Sequence, residues 1–267
     1  MIIDFHTHVF PDKIAARTIA HLAEKGGIPP FSDGSVGGLL SGMERAGVDI
    51  SVTLPVVTSP TQFDSINRFA AGLNSAEYGE RRLISFAGIH PECEDIEGKM
   101  RFIKEQGFLG VKIHPDYQGK FIDDEGYVRI MERAREYDLV VVTHAGVDGA
   151  SRDTVHCPPE RALRLIERVP HAKLVLAHLG ANEMADEVIG RLCGKEVYFD
   201  TAYVLRETPR ETFVRMIERH GAERILFATD NPWSDAKGDI EIIKSYGLGA
   251  VIEDMIFSAN ARRLLGI

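Results

Sequence analysis

Apolar residues recur along this chain with two different periods. Short runs rich in β-branched and aliphatic residues predict eight strands, at Ile2–Phe5, Ile50–Leu54, Leu83–Ile89, Gly110–Ile113, Leu139–Thr143, Lys173–Ala177, Val197–Asp200 and Ile225–Thr229. Between them, longer amphipathic stretches predict helices at Lys13–Lys25, Val36–Ala46, Gln62–Tyr78, Glu94–Gln106, Asp124–Tyr137, Pro159–Val169, Met184–Leu192 and Pro209–His220. Three more, Asp239–Tyr246, Gly249–Asp254 and Ser258–Leu265, follow the last strand and are expected to close the ring from outside. Gly47, Gly107 and Gly221 lie just past helix ends, where a residue without Cβ takes up the left-handed conformation cheaply.

Strands that alternate with helices specify a parallel α/β sheet. Shared over eight βα units, 267 residues come to about 33 each, enough for strand, loop, helix and return. The expected fold is a (β/α)8 TIM barrel forming a single domain over residues 1–267. A doubly wound sheet could use the same alternation, so the placement of polar residues has to separate the two. No internal repeat or Gly/Ser/Pro-rich linker divides the chain. The segment Gly26–Gly34 reads as a loop, either a cover over a site or a plain connector.

Polar residues fall where a barrel would place a site. His6 and His8 end the first strand two positions apart, and side chains at i and i+2 share one face of a strand. Two buried imidazoles side by side need partners, and a shared cation supplies one. His144 follows the run Leu139–Thr143, His178 follows Leu174–Ala177, and Asp230 follows Ile225–Thr229. All five stand at C-terminal strand ends, where barrel enzymes assemble their chemistry. On the fourth strand, Lys112 and His114 share one face, and His90 ends the third. Trp233, Tyr117 and Tyr203 lie just beyond strand ends, where they either wall a substrate or pack. His156 and Arg152 lie in the polar loop between Asp148 and Pro158, and His21, His171 and His220 are expected at the surface or as helix caps.

Composition narrows the partners. With 44% hydrophobic and 27% charged residues the chain can bury a sizeable core. A formal net charge of −9 disfavours non-specific binding to nucleic acid or an anionic membrane surface, which leaves a small-molecule substrate. Cys93, Cys157 and Cys193 are too scattered for a disulfide framework or a structural zinc cluster. No apolar run approaches the roughly 20 residues of a membrane span, and a strand-like run begins at the second residue, so a cytoplasmic protein is expected. A homodimer is the default assembly.

The motifs FHTH (His6, His8), THAG (His144), AHLG (His178), ATDNPW (Asp230) and the closing SANARRLLGI resemble the amidohydrolase superfamily. Within it they are similar to the amidohydrolase-related (amidohydrolase 2) group that includes aminocarboxymuconate-semialdehyde decarboxylase-like proteins. The resemblance implies one divalent metal on His6, His8, His144 and Asp230, with His178 ligating or touching substrate. Zn²⁺ is the first expectation for this ligand set, with Mn²⁺, Fe²⁺ or Co²⁺ as alternatives. GVKIHP also resembles binuclear relatives such as dihydroorotase, where a carboxylated lysine bridges two metals, a role that would fall to Lys112. Otherwise Lys112, with His114, His90 and Trp233, contacts substrate. The function so implied is hydrolysis of a small ester, lactone or amide by metal-activated water. There Asp230 is general base and His178 polarises the carbonyl. The alternative is metal-dependent, non-oxidative decarboxylation of a small unsaturated or aromatic acid, for which the same ligands serve.

Overall fold

A computed structural model describes residues 1–267. Eight parallel strands form the frame: β1 (Ile3–Thr7), β2 (Ile50–Thr53), β3 in two segments (Arg82–Ser85 and Ala87–Gly88), β4 (Gly110–Ile113), β5 (Val140–Thr143), β6 (Leu174–Leu176), β7 (Tyr198–Asp200) and β8 (Ile225–Leu226). Each pairs in parallel with the next, apart from the break inside β3. The ring closes through Phe5 N–H to Phe227 O at 2.9 Å, Asp230 N–H to His6 O at 2.8 Å and a parallel bridge between Thr7 and Asn231. The result is a TIM barrel spanning the chain, as expected. Strands β2, β4 and β5 are buried at every position, as barrel strands covered on both faces must be.

Several strands are a residue or two shorter than their apolar runs, and two depart further, β3 by an internal break and β8 by ending at Leu226. β3 breaks at Phe86 because Asn74, on the helix Phe63–Ser75, pairs with Ser85 N and O, while Asn67 of that helix pairs with Gly88 N and O. At β8, Asp4 accepts from Thr229 N–H and Thr201 Oγ1 from Ala228 N–H. Side chains thus replace a ladder that the sequence suggested would continue. The helix α1 (Asp12–Gly26) precedes α2 (Val36–Ala46), which is capped by Ser35, whose Oγ accepts from Gly38 N–H, and ends at left-handed Gly47 with φ 71°. Gly221 also has positive φ, 98°, but its extended ψ of 127° starts a short 3-10 turn rather than a left-handed cap.

Two apolar clusters hold the layers together. The larger, of 51 buried residues, lies between strands and helices. The smaller, of 16, fills the barrel with Ile3, Phe5, Val52, Val142, Val175 and Leu226. Ala261, Leu264 and Leu265 of the last helix (Asn260–Leu265) belong to this inner cluster, so that helix plugs the barrel rather than only closing it from outside. No helix is long and apolar enough to cross a membrane.

His220, expected at the surface or as a cap, is buried at the end of the helix Arg210–His220 and stacks on Phe199 at 4.0 Å. Its Nε2–H donates to Val197 O (2.9 Å) and its Nδ1 accepts from Gly194 N–H (3.2 Å). Burial drives its pKa from 6.5 down to about 4. A histidine that is neutral when folded loses stability as protons bind the unfolded chain, here as pH falls from 6.5 through 4, by at most about 3 kcal/mol. Buried Asp4 and Asp239, both pushed up to about 7 by burial, act in the opposite sense. The His220 share is therefore the difference between wild type and His220→Gln in urea unfolding. Wild type should lose its advantage across that window, and a difference independent of pH would refute the assignment.

Candidate metal centre and its cavity

A cavity of about 580 Å³ opens at the C-terminal ends of the strands. His6, His8, Lys112, His114, His144, His178 and Asp230 line its polar side, and Trp233, Tyr117 and Tyr203 also line it. The apolar wall includes Phe10, Ile14 and Leu22 from α1 and its approach, and Ile66 and Phe69 from α3 (Phe63–Ser75). Gly26 and Ile28 border it too, so the loop after α1 covers the site. That loop is tied to the segment beyond β8 by Phe31 N–H to Pro232 O and by Ser32 Oγ to Asn231 Oδ1. His90 is buried outside the lining, its Nδ1 accepting from Glu92 N–H.

Local backbone geometry aims the histidines. Between Asp4 and Thr7, β1 carries one residue more than β2 does between Ser51 and Thr53, a bulge that changes the side-chain phase. Phe5 therefore joins the inner apolar cluster, and the next residue, His6, also reaches the cavity. At the other strand ends, His178 (φ 60°), Tyr203 (φ 68°) and Asp230 (φ 65°) occupy the left-handed region that costs a residue bearing Cβ about 1 kcal/mol or more. Strain of this kind concentrates where side chains are held for function.

The hydrogen bonds define tautomers. His6 Nδ1–H donates to Asp200 Oδ2 (2.9 Å), and His8 Nδ1–H donates to Leu54 O (2.8 Å). A neutral imidazole has one proton, so both Nε2 atoms present lone pairs, and they face each other at 3.2 Å. Asp230 Oδ1 lies 3.1 Å from His8 Nε2 and 3.5 Å from His6 Nε2. These three electron-pair donors converge beside the Lys112 ammonium, which donates to His6 Nε2 at 3.0 Å, and their convergence suits a cation. Donors about 2.1 Å from one ion lie about 3.0–3.4 Å apart at ordinary bond angles, so the trio fits a divalent metal. Burial, then the Lys112 ammonium, holds His6 well below its usual pKa and keeps the ring neutral. Burial pushes the Asp230 carboxyl up, and positive charge on His6 and His8, which their protonated forms would supply, pulls it down to about 2.

His144 belongs to a neighbouring group with His114 and Asp148 rather than to that trio. Its Nδ1 lies 2.9 Å from His178 Nε2, and His178 Nδ1–H donates to Ala202 O (2.9 Å). His114 Nδ1 accepts from Tyr117 N–H (3.4 Å), so its Nε2–H is a donor, 3.7 Å from Asp148 Oδ2. That tautomer makes His114 a hydrogen-bond donor rather than a metal ligand. Lys112 is buried, with Nζ 3.0 Å from His6 Nε2. Burial lowers its pKa from 10.5 to about 8 against the pull of Asp230, Asp200 and Asp148.

Sequence reasoning missed Asp200. It ends the apolar run of the seventh strand as Asp230 ends that of the eighth, and that signal could have found it. Beyond His6, it accepts from His178 N–H (2.9 Å) and Ala202 N–H (3.1 Å). A carboxylate behind a ligating histidine fixes the ring and raises its basicity, and losing one costs about 10- to 100-fold in metal affinity.

A family model described as amidohydrolase matches residues 3–267. No curated protein matches the chain. Among solved structures, 5-carboxyvanillate decarboxylase LigW from Sphingomonas paucimobilis superimposes with TM-score 0.72 at 15% identity, covering 100% of this chain and 99% of that one. An uncharacterised TIM-barrel protein from Bordetella bronchiseptica gives 0.75 at 18%, covering 99% and 98%. A dihydroxybenzoic acid decarboxylase from Polaromonas, with bound manganese and the inhibitor 2-nitroresorcinol, gives 0.72 at 15%, covering 99% and 96%. At these identities the likeness establishes the shared fold.

Asp200→Asn should lower Mn²⁺ affinity about 10- to 100-fold in a chelator-competition titration. Wild-type affinity in that variant would detach Asp200 from the site.

Proposed function

The chain belongs to the amidohydrolase family, and from that premise we propose that it is a metal-dependent, non-oxidative decarboxylase of a small acid with one carboxylate and a largely apolar body. The observation that carries this reading is the floor of the cavity, where the buried Lys112 ammonium lies beside the His6, His8 and Asp230 trio under an apolar wall. The decarboxylases among the similar structures, three of them with manganese bound, support the same reaction over the hydrolysis expected from sequence. A bound divalent ion, Mn²⁺ or Zn²⁺, would act as Lewis acid toward a substrate oxygen.

The side chains divide the remaining work. Lys112 pairs with the substrate carboxylate, and His114 Nε2–H donates to a neighbouring oxygen. Apolar walls exclude water, so the carboxylate exchanges hydration for these fixed donors. When the C–C bond breaks, CO₂ leaves and the electron pair stays on carbon. Asp230, ionised at rest, takes a proton from substrate or solvent and passes it to that carbon, while His178 orients the reacting group. Lys112 is the one lysine or arginine in the lining, so a second carboxylate on the substrate would be buried unpaired.

The direct test is release of CO₂ from a panel of small unsaturated and aromatic acids by Mn²⁺- and Zn²⁺-loaded protein. Monocarboxylates should be preferred to the matching dicarboxylates. Turnover of esters, lactones or amides without CO₂ release would restore the hydrolase reading. Asp230→Asn should lower turnover at least about 100-fold with the fold intact. Lys112→Met removes a charge-assisted contact, for which a loss of about 10- to 150-fold in kcat/KM is expected. An unchanged value would release Lys112 from substrate binding.

A further inference from the structure

Two buried polar atoms beside the site have no partner, His144 Nε2 and Asp116 Oδ2, and they lie 3.9 Å apart. The Asp116 side chain is fully buried in the turn of helix Pro115–Gln118. Its Oδ1 accepts two hydrogen bonds from His156, from the ring Nδ1 at 3.0 Å and the backbone N at 3.3 Å. In the metal-free arrangement, His178 Nε2 has a lone pair, so His144 Nδ1–H donates to it. His144 Nε2 is then left as an acceptor facing a carboxylate.

One tautomer exchange turns the two orphans into a donor facing an acceptor, with a gap of 3.9 Å left to close for a hydrogen bond. With its proton on Nε2, His144 donates toward Asp116, and its Nδ1 lone pair joins that of His178 Nε2, 2.9 Å away, on the cavity side. Protonating Asp116 would also join the two atoms, and burial pushes its carboxyl in that direction. The two hydrogen bonds from His156 oppose it by favouring the charged form. The exchange gives up the His144–His178 hydrogen bond, so it is favoured where a metal takes up the two lone pairs that then face each other.

We infer that Asp116, anchored by His156, is a positioning residue that sets His144 in its Nε2–H tautomer and so directs His144 Nδ1 to a metal held in the cavity. The inference rests on the metal-centre reading above. The relay runs from His156 through Asp116 to His144, and it gives a role to His156, whose place the loop sequence left open.

The test compares Mn²⁺ dissociation constants of wild type, His6→Ala, His144→Ala, Asp116→Asn, Asp116→Glu and His156→Ala by chelator competition. Thermal melting of each metal-free protein is recorded alongside. Asp116→Asn should bind Mn²⁺ about 10- to 100-fold more weakly with its metal-free melting temperature unchanged, and Asp116→Glu should recover part of the loss. In Co²⁺-loaded wild type, proton NMR should show a slowly exchanging, contact-shifted imidazole N–H that Asp116→Asn removes. If Asp116→Asn fails to fold, His156→Ala carries the test, with a weakening of about 3- to 10-fold expected from loss of the anchor. Weaker binding in His6→Ala and His144→Ala, but wild-type affinity in the folded Asp116 and His156 variants, overturns this inference alone. Binding unaffected by His6→Ala overturns the metal centre and the inference with it.

Discussion

One buried carboxylate ties together three strand ends at the open end of this barrel. Asp200 ends β7 and is removed from water, which is costly for an ionised group. Its compensation comes from His6 Nδ1–H and from the backbone N–H groups of His178 and Ala202. One side chain thereby binds the ends of β1, β6 and β7. Because Ala202 O accepts from His178 Nδ1–H, the same carboxylate also supports the tautomer of a second imidazole. The lone pairs of His6 and His178 face the cavity because their other nitrogens are spoken for.

Around that carboxylate the chain accepts local strain and gains precise aim. The β1 bulge brings two consecutive residues inward, and positive φ at His178, Leu179, Tyr203 and Asp230 turns strands abruptly into loops. Such conformations persist because the barrel beneath over-determines them. The ring is closed by backbone hydrogen bonds across β1 and β8, and its interior is plugged by the last helix. Rigid strands below and shaped loops above are the division of labour that lets one barrel carry many chemistries.

Much of the frame was legible in the sequence. The eight apolar runs correspond to the eight strands, and His6, His8, His114, His144, His178 and Asp230 all border one cavity. The misses share a cause. β3 and β8 end early where Asn67, Asn74, Asp4 and Thr201 take the place of ladder partners, and an apolar run cannot show whether a distant side chain will compete for its backbone. His90 obeyed the strand-end rule yet lies outside the cavity, because a strand end places Cα, whereas the following turn decides where the ring points. His220 was read as a surface or capping residue, but Phe199 and two backbone groups enclose it.

By itself the sequence determined the barrel and the residue types at its mouth, since both follow from local periodicity: period two in the strands, helical spacing between them, and polar residues where apolar runs stop. Only the tertiary structure decided how those residues work together. The bulge that turns His6 inward, the contact of His6 with Asp200 194 positions away, and the approach of Asp116 to His156 across 40 positions are properties of the closed ring. They arise when strands far apart in sequence become neighbours, and burial then requires each polar atom to find its partner among whatever the fold has brought within reach.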